Sequence, residues 1–438
     1  MFSRLYCRLM SVTVCFLLAC CYESVKSPSI SGYHSTGEHR NLSGKSFFEN
    51  DGRQRRSVFL LKYNATDKII FQSKEKPATN KSQPMQRPRF YLPRRTFLPL
   101  DPKTFICYDR NSYECGNKTA LYRDRILGEF HKSAKMIVNE PNFYNVDYRR
   151  KYHSRWDFRE AMMDYDDGSM ATCMVMKAKV RILRKRDPPM NKLPLGKFFP
   201  KRKLFKMFQE IRSCAIVSSA GSMRNSRLGH FIDLHDIVMR FNNAPVEGFE
   251  EDVGTKTTIR VVNSQVVSKA EFNFVNSPIF QNITIAAWDP GKYNVTLKDW
   301  LENADFNLFV NYEKFRKRYP KSNAYLIDPQ SIWKLWDQLQ GFTRTPIRCN
   351  PPSSGFIGLA LLLPHCPYVD FIEYVPSTRL NGRCHYYSDE INSACTFGAW
   401  HPLAAEKLMT LKMNVADDYA TFQNGIIRIR RPEPKSCS

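Results

Sequence analysis

His401 stands immediately before Pro402 and the run PLAAEKLMTLK (402–412), whose apolar spacing is helical and which carries Glu406 and Lys407. Proline is favoured in the first helical turn, so the imidazole falls at or just before a helix N-terminus, where the dipole disfavours imidazolium. A neutral imidazole accepts protons and suits a general base; an ordinary capping histidine would have the same neighbours. Upstream, Pro351-Pro352-Ser353-Ser354-Gly355 opens the most apolar run of the chain, FIGLALLL (356–363). A serine N-cap behind a rigid Pro-Pro, with a glycine that permits close backbone approach, makes a seat for an anion. A plain helix cap would read alike.

Two further groups belong to the ends of strands. CAIVSS (214–219) leads into Ser218-Ser219-Ala220-Gly221-Ser222, a small-residue turn of the kind that brings backbone N–H groups against a phosphate or nucleotide, although it is not a strict G-x-G-x-x-G. Asn242 follows DIVMRF (236–241) and Asn263 follows TTIRVV (257–262). Open α/β sheets bind ligands at the carboxyl ends of their strands, and an amide with both a donor and an acceptor suits a pyrimidine edge or a ribose. Turn-forming asparagines would sit at the same places. Asp164-Tyr165-Asp166 is a D-x-D, a pattern that elsewhere binds a metal; it precedes the first strand, and we read it as a solvated acidic loop.

The elements that must position these groups alternate. Strands are expected over the runs 214–219, 236–241 and 257–262, and also over ITIAAW (283–288), FNLFVN (306–311), AYLI (324–327) and VDFIEYV (369–375). Helices are expected over SIWKLWDQL (331–339), FIGLALLL and 402–412. Such alternation predicts an α/β domain with a largely parallel sheet.

The 438 residues carry a net charge of +24, which suits an anionic partner. Thirteen cysteines, none in a C-x-x-C, argue against zinc ribbons and thioredoxin-type motifs. Six N-x-[ST] sequons, at Asn41, Asn64, Asn80, Asn117, Asn282 and Asn294, point with the cysteines to the secretory lumen. There nucleic acid is no longer a candidate partner. Residues 9–22, LMSVTVCFLLACCY, follow Arg4 and Arg8 and read as a signal anchor with residues 1–8 as a cytoplasmic tail, a type II arrangement. The run is short for a bilayer, and small residues near Ala19 also admit cleavage as a signal peptide. Residues 23–139 are polar, basic and proline-rich and read as a stem, with Arg53-Gln54-Arg55-Arg56 as a candidate release site; residues 140–438 read as the catalytic domain.

Four stretches, in order, carry a family resemblance. Residues 214–265 resemble the large sialylmotif of the animal sialyltransferases (glycosyltransferase family 29), and 350–375 resemble the small one. HYYS (385–388) and HPLAAE (401–406) look like the third and very small motifs, and DVGTKTTIRVVNSQ is similar to the β-galactoside α2,6 branch. The resemblance implies a Rossmann-like, α/β sialyltransferase variant of the GT-A architecture. It implies that Ser219, Asn242, Asn263, Ser353, Ser354, Gly355, Cys384, His385 and Thr396 hold CMP-sialic acid, with Lys407 nearby. His401 matches the catalytic base, while Gln265 and Asp305 match acceptor-binding positions and Trp400 adjoins them.

The implied reaction is an inverting displacement, without cofactor or metal, that moves sialic acid to a galactose 6-hydroxyl on glycoproteins in the Golgi lumen. A homodimer is allowed for. The resemblance also implies disulfides Cys173–Cys437, Cys214–Cys366 and Cys384–Cys395; Cys107 and Cys115 can pair within the stem, leaving Cys349 over. Two positions depart from the family. Trp400 replaces a common tyrosine, which opens N-acetylgalactosamine as an alternative acceptor, and Ser388 replaces an acid or glutamine. An inactive glycan-binding member is the other alternative.

Overall fold

A computed structural model describes residues 101–135, 142–147, 168–343, 346–398 and 400–437. These lie in the unit Gln86–Ser438, one of two into which the chain divides. The expected tail, anchor and release site, Asn41, Asn64, Asn80 and the Asp164-Tyr165-Asp166 motif lie outside the described residues. Among the described residues no helix is long and apolar enough to cross a membrane.

Seven strands form one sheet: β1 (Cys214–Val217), β2 (Ile237–Phe241), β3 (Ile259–Asn263), β4 (Thr284–Trp288), β5 (Asn323–Leu326), β6 (Tyr368–Ile372) and β7 (Ile426–Arg430). Their order is β5-β4-β3-β2-β1-β6-β7, parallel throughout except for β7, which runs antiparallel to β6 at the edge. The fold is therefore the expected α/β class. β1 lies between β2 and β6, so the chain winds outward on one side of β1 and then crosses to the other. That reversal opens a crevice at the carboxyl ends of the strands.

Both faces of the sheet are covered, so β1, β2 and β4 are buried at every position and β3 at all but Asn263. Cys214, Ile216, Met239 and Val261 face a core shared with the helices Pro329–Gly341, Ser354–Leu362 and Leu403–Lys412. Ile285, Ala287 and Leu326 face a second core with Trp300, Tyr312 and Phe315. The Ser354–Leu362 helix is apolar all round because it is buried all round from Phe356 to Leu362. A Cβ on Gly358 would meet Met239 Sδ at 2.6 Å, so the glycine lets this helix lie directly on the sheet.

Three elements differ from the sequence expectation. FNLFVN does not form a strand; Phe309–Arg318 is a helix. Its buried Phe309, Tyr312, Phe315 and Arg316 repeat at three and four residues, a period that the six-residue run is too short to display. β7 was not foreseen, although IIRIR alternates buried Ile427 and Ile429 with more exposed neighbours. The helix Tyr113–Lys135 falls in the segment expected to be stem, yet Tyr122, Ile126 and Phe130 are fully buried in the main core. The compact fold thus begins by residue 101 instead of 140.

The structure contains Cys173–Cys437, Cys214–Cys366 and Cys384–Cys395, together with Cys107–Cys115, and leaves Cys349 free and buried. Asn117, Asn282 and Asn294 are all exposed, as glycan acceptors must be.

Candidate active site

An open cleft of about 290 Å³ lies beyond the carboxyl ends of β3 and β4. Asn263, Gln265, Asp305, Trp400 and His401 line it, so five residues singled out from the sequence converge from three separate segments. Tyr144, Ser264, Trp288, Pro290, Phe306 and Pro351 complete the lining.

His401 precedes Pro402, the N-cap of the Leu403–Lys412 helix. Its Nδ1 lies 2.7 Å from the carbonyl oxygen of Pro351. A carbonyl only accepts, so Nδ1 carries the hydrogen, and in the neutral ring Nε2 is left as a proton acceptor. The same contact ties the imidazole to the segment that opens the Ser354–Leu362 helix.

Ser353 is the N-cap of that helix: its Oγ accepts from Phe356 N–H at 3.2 Å. The hydroxyl in turn donates to Glu406 Oε2 at 2.6 Å, and Ser353 N–H donates to Glu406 Oε1 at 2.8 Å. Tyr374 O–H also donates to Glu406 Oε2. Glu406 is completely buried, and its carboxylate accepts from three donors that together set the helix start. Ser354 Oγ accepts from Trp288 Nε1–H at 3.0 Å, which joins the helix start to the cleft wall. A Cβ on Gly355 would meet the stacked rings of Phe371 and Tyr374 at 3.1 and 3.2 Å, so this glycine is needed for packing on β6. These features place the N–H groups of a helix start beside the His401 imidazole, an arrangement suited to an anionic leaving group.

The two asparagines form a linked pair. Asn242, at φ +48°, accepts Asn263 N–H on Oδ1 at 3.1 Å. Asn263 Oδ1 caps the short Ser264–Ser268 helix by accepting from Val266 N–H at 3.0 Å. With both amide oxygens engaged, the Nδ2 groups remain as donors. Arg240 and Arg260 lie opposite each other on β2 and β3, both buried. Arg260 Nη1 donates to the carbonyls of Asn242 and Ala244 at 2.9 and 3.0 Å, which fixes the left-handed turn. Burial pushes both guanidinium pKa values down to about 10, which leaves them cationic at neutral pH. Two positive charges thus lie on adjacent strands, Arg260 bound at the Asn242 turn and Arg240 at the carbonyls of Val253 and Lys256, with no carboxylate bonded to either among the described residues.

Ser219 accepts Tyr386 N–H on its carbonyl at 3.2 Å, and the Tyr386 hydroxyl reaches the carbonyl of Pro245. The HYYS segment therefore bridges the ends of β1 and β2. His385 stacks on Tyr387 with centroids 5.0 Å apart, and burial lowers its pKa, so it is neutral near pH 7. Cys384 is committed to its disulfide and offers only backbone atoms. Cys384, Glu390 and Cys395 are the one close group of potential metal ligands among the described residues, and two of their sulfurs are already joined to each other.

Thr396 and Lys407 sit away from the cleft lining. Lys407 Nζ is buried, donates to the Thr396 carbonyl at 2.7 Å and lies over the rings of Phe130 and Tyr374. Burial, opposed by Glu406 and Glu373, pulls its pKa down to about 7. The unfolded chain, with an ordinary lysine, holds the extra proton between that value and roughly pH 10.4, so folding stability rises with pH across this window. Lys407→Met removes this slope. Urea unfolding between pH 7 and 9 should show the parent gaining on the order of 1–3 kcal/mol relative to the variant. Parallel curves for the two proteins would contradict the assignment.

On the acceptor side, Asp289 is fully buried at the end of β4 and accepts from Gly291 N–H, Trp300 Nε1–H, Asp305 N–H and Phe306 N–H at 2.9–3.1 Å. Desolvation raises its pKa, opposed by hydrogen bonds from the Ser264 side chain, Asp305 N–H and Trp300 Nε1–H. Asp289 holds the loop that presents Asp305, whose Oδ2 accepts from Tyr144 O–H at 3.3 Å. Tyr144 packs edge-on against Trp400 with centroids 6.5 Å apart. Sequence reasoning missed Glu406, Asp289, Tyr144 and the arginine pair as site residues. Glu406 was legible in the H-x4-E spacing, whereas the others act through contacts distant in sequence.

The model for glycosyltransferase family 29 (sialyltransferase) matches residues 185–417, more than half of the chain. The chain belongs to this family. Curated relatives named beta-galactoside alpha-2,6-sialyltransferase 2 are 42% identical: over 254 residues in Danio rerio (58% of this chain, 49% of the relative), and over 338 residues in Rattus norvegicus (76% and 62%). The chain spans about half the length of most of these relatives. A solved mammalian sialyltransferase aligns with 19% identity and a TM-score of 0.33 over 66% of this chain and 86% of that one.

Proposed function

We propose that this protein transfers sialic acid from CMP-sialic acid to the 6-hydroxyl of a terminal galactose on glycoproteins. The observation that carries the reading is His401, hydrogen-bonded through Nδ1 to Pro351 and facing the cleft beside the Ser353-capped helix start. The name of the relatives, beta-galactoside alpha-2,6-sialyltransferase 2, supports the linkage and the acceptor sugar.

His401 Nε2 takes the proton of the galactose 6-hydroxyl as that oxygen attacks the anomeric carbon. The bond from that carbon to the phosphate oxygen breaks, CMP leaves with the electron pair, and the configuration inverts. The N–H groups of Ser354 and Gly355 and the helix dipole stabilise the departing phosphate, a role that requires no metal. The Nδ2 groups of Asn242 and Asn263, with Ser219 and the segment around His385, bind the nucleotide. Gln265, Asp305 and Trp400 seat the galactose, the indole against its apolar face.

In this reading residues 9–22 anchor the protein in the Golgi membrane, residues 23 to about 100 act as the stem, and catalysis occurs in the lumen. The sequon asparagines carry glycans.

Incubating the full chain with CMP-sialic acid and a panel of galactosides and N-acetylgalactosaminides tests the proposal. An α2,6-sialylated galactoside is expected as the main product. Transfer only to N-acetylgalactosamine, or hydrolysis without transfer, would contradict it. Asp305→Asn should raise the acceptor KM by about 10-fold or more, the loss of one charge-assisted hydrogen bond, and leave the donor KM near the parent value. Equal changes in both constants would remove Asp305 from the acceptor site.

A further inference from the structure

The strap from Arg184 to Lys206 carries nine Lys and Arg residues against one acid, Asp187. That acid is nearly buried and already neutralised by Arg181 and Arg184. The strap therefore has a large uncompensated positive charge. Lys201, Arg202, Lys203 and Lys206 are all exposed, and none has a carboxylate partner among the described residues.

The fold adds a second basic element alongside. Lys314, Lys317, Arg318 and Lys321 are exposed on and just after the Phe309–Arg318 helix. Of these only Lys317 has a carboxylate partner among the described residues, Glu313. Two contacts join the strap to the helix and one ties it to β5. Arg316 Nε donates to the Phe198 carbonyl at 2.7 Å, and Tyr325 O–H on β5 donates to the Arg202 carbonyl at 3.0 Å. The ammonium groups of Lys197 and Lys317 lie 4.9 and 5.6 Å from the centre of the Phe198 ring, so cations of the two elements meet over one aromatic side chain. The backbone that carries the charges is thus fixed before any partner arrives, which lowers the entropic cost of binding.

This face lies at the opposite end of the sheet from the cleft. Lys321 precedes Asn323 at the amino end of β5, and Met207 Sδ accepts from the hydroxyl of Thr284, the first residue of β4, at 3.4 Å. Asn263 and Trp288 of the cleft close the carboxyl ends of β3 and β4. A partner held on the basic face leaves the cleft open.

We propose that this face binds a linear sulfated polysaccharide. Four disulfides place the fold in an oxidising compartment, where sulfated glycans are the abundant extended polyanions and nucleic acids are absent. A membrane surface fits less well. None of the exposed large apolar side chains among the described residues falls on this face, so it offers nothing to insert between lipids. The proposal does not depend on the sugar transferred or on the linkage made.

The test uses the full chain, immobilised heparin as the probe, and a titration with salt. K201S/R202S/K203S/K206S should bind about 10-fold or more weaker at physiological salt, and the slope of log affinity against log salt should fall by about 3, as expected for four lost ion contacts. K314S/K321S, on the other element, should also weaken binding, by about 3-fold or more. The control R125S/K177S/K179S/K298S carries the same loss of charge elsewhere and should bind within about twofold of the parent. All four proteins should keep the same thermal midpoint and the same transfer rate to a small soluble acceptor. Parent-like binding by the strap variant, an equal loss in the control, or tighter binding to phosphatidylserine–phosphatidylcholine vesicles than to heparin would each overturn the proposal.

Discussion

His401→Ala should lower kcat by about 10²–10⁴-fold, the range expected for loss of a positioned general base. The affinity for CMP should stay within about twofold of the parent, because the nucleotide is held by other groups. The tautomer of His401 sets this role. The Pro351 carbonyl accepts the Nδ1 hydrogen, so Nε2 is the ring's free acceptor and the imidazole is held in orientation by backbone. Its half-buried position in the cleft lets that nitrogen meet an incoming hydroxyl. Steady-state kinetics and calorimetric titration with CMP check both halves. If kcat falls less than about 10-fold, the imidazole is not the base. If CMP affinity collapses as well, its role is in binding.

The second large effect belongs to Glu406. Replacement by glutamine keeps the size but turns one acceptor oxygen into an NH₂ donor facing Ser353 Oγ–H and Tyr374 O–H, both of which donate to Oε2. The site is fully buried, so at least one donor loses its partner, at a cost of about 1–3 kcal/mol. The Ser353 cap loosens with it. We expect the midpoint of thermal unfolding to fall by several degrees, by roughly 2–4 °C per kcal/mol for a domain of this size. The donor KM should rise about 10-fold while the acceptor KM changes little, since the distortion is centred on the phosphate seat. A variant with parent-like stability and donor KM would show that the carboxylate is not what holds the helix start. A variant that is less stable but has unchanged KM would confine Glu406 to a packing role.

Much of this site could be read from the sequence because its parts are local. Ser353 at an N-cap, His401 before a proline and the two asparagines at strand ends each follow from a few neighbouring residues, and each was found where expected. The supporting groups were not readable in the same way. Asp289 organises the 305 loop through hydrogen bonds that arise only once β4 and that loop are folded together. Tyr144 enters the cleft from a segment far upstream, and Arg260 reaches the Asn242 turn only because β2 and β3 lie in register. Lys407, expected near the donor from the resemblance, is directed by its helix toward Phe130 and the Thr396 carbonyl. The helix Tyr113–Lys135 was absorbed into the stem because a largely polar stretch hides three fully buried positions, Tyr122, Ile126 and Phe130, spaced by four.

A crystal structure of the protein with CMP bound tests the central claim most directly. The account predicts the phosphate within hydrogen-bonding distance of the Ser354 and Gly355 N–H groups, the nucleoside against Asn242 and Asn263, and His401 Nε2 directed into the space beside the phosphate. Nucleotide bound elsewhere on the fold, or an imidazole turned with Nε2 toward Pro351, would contradict it.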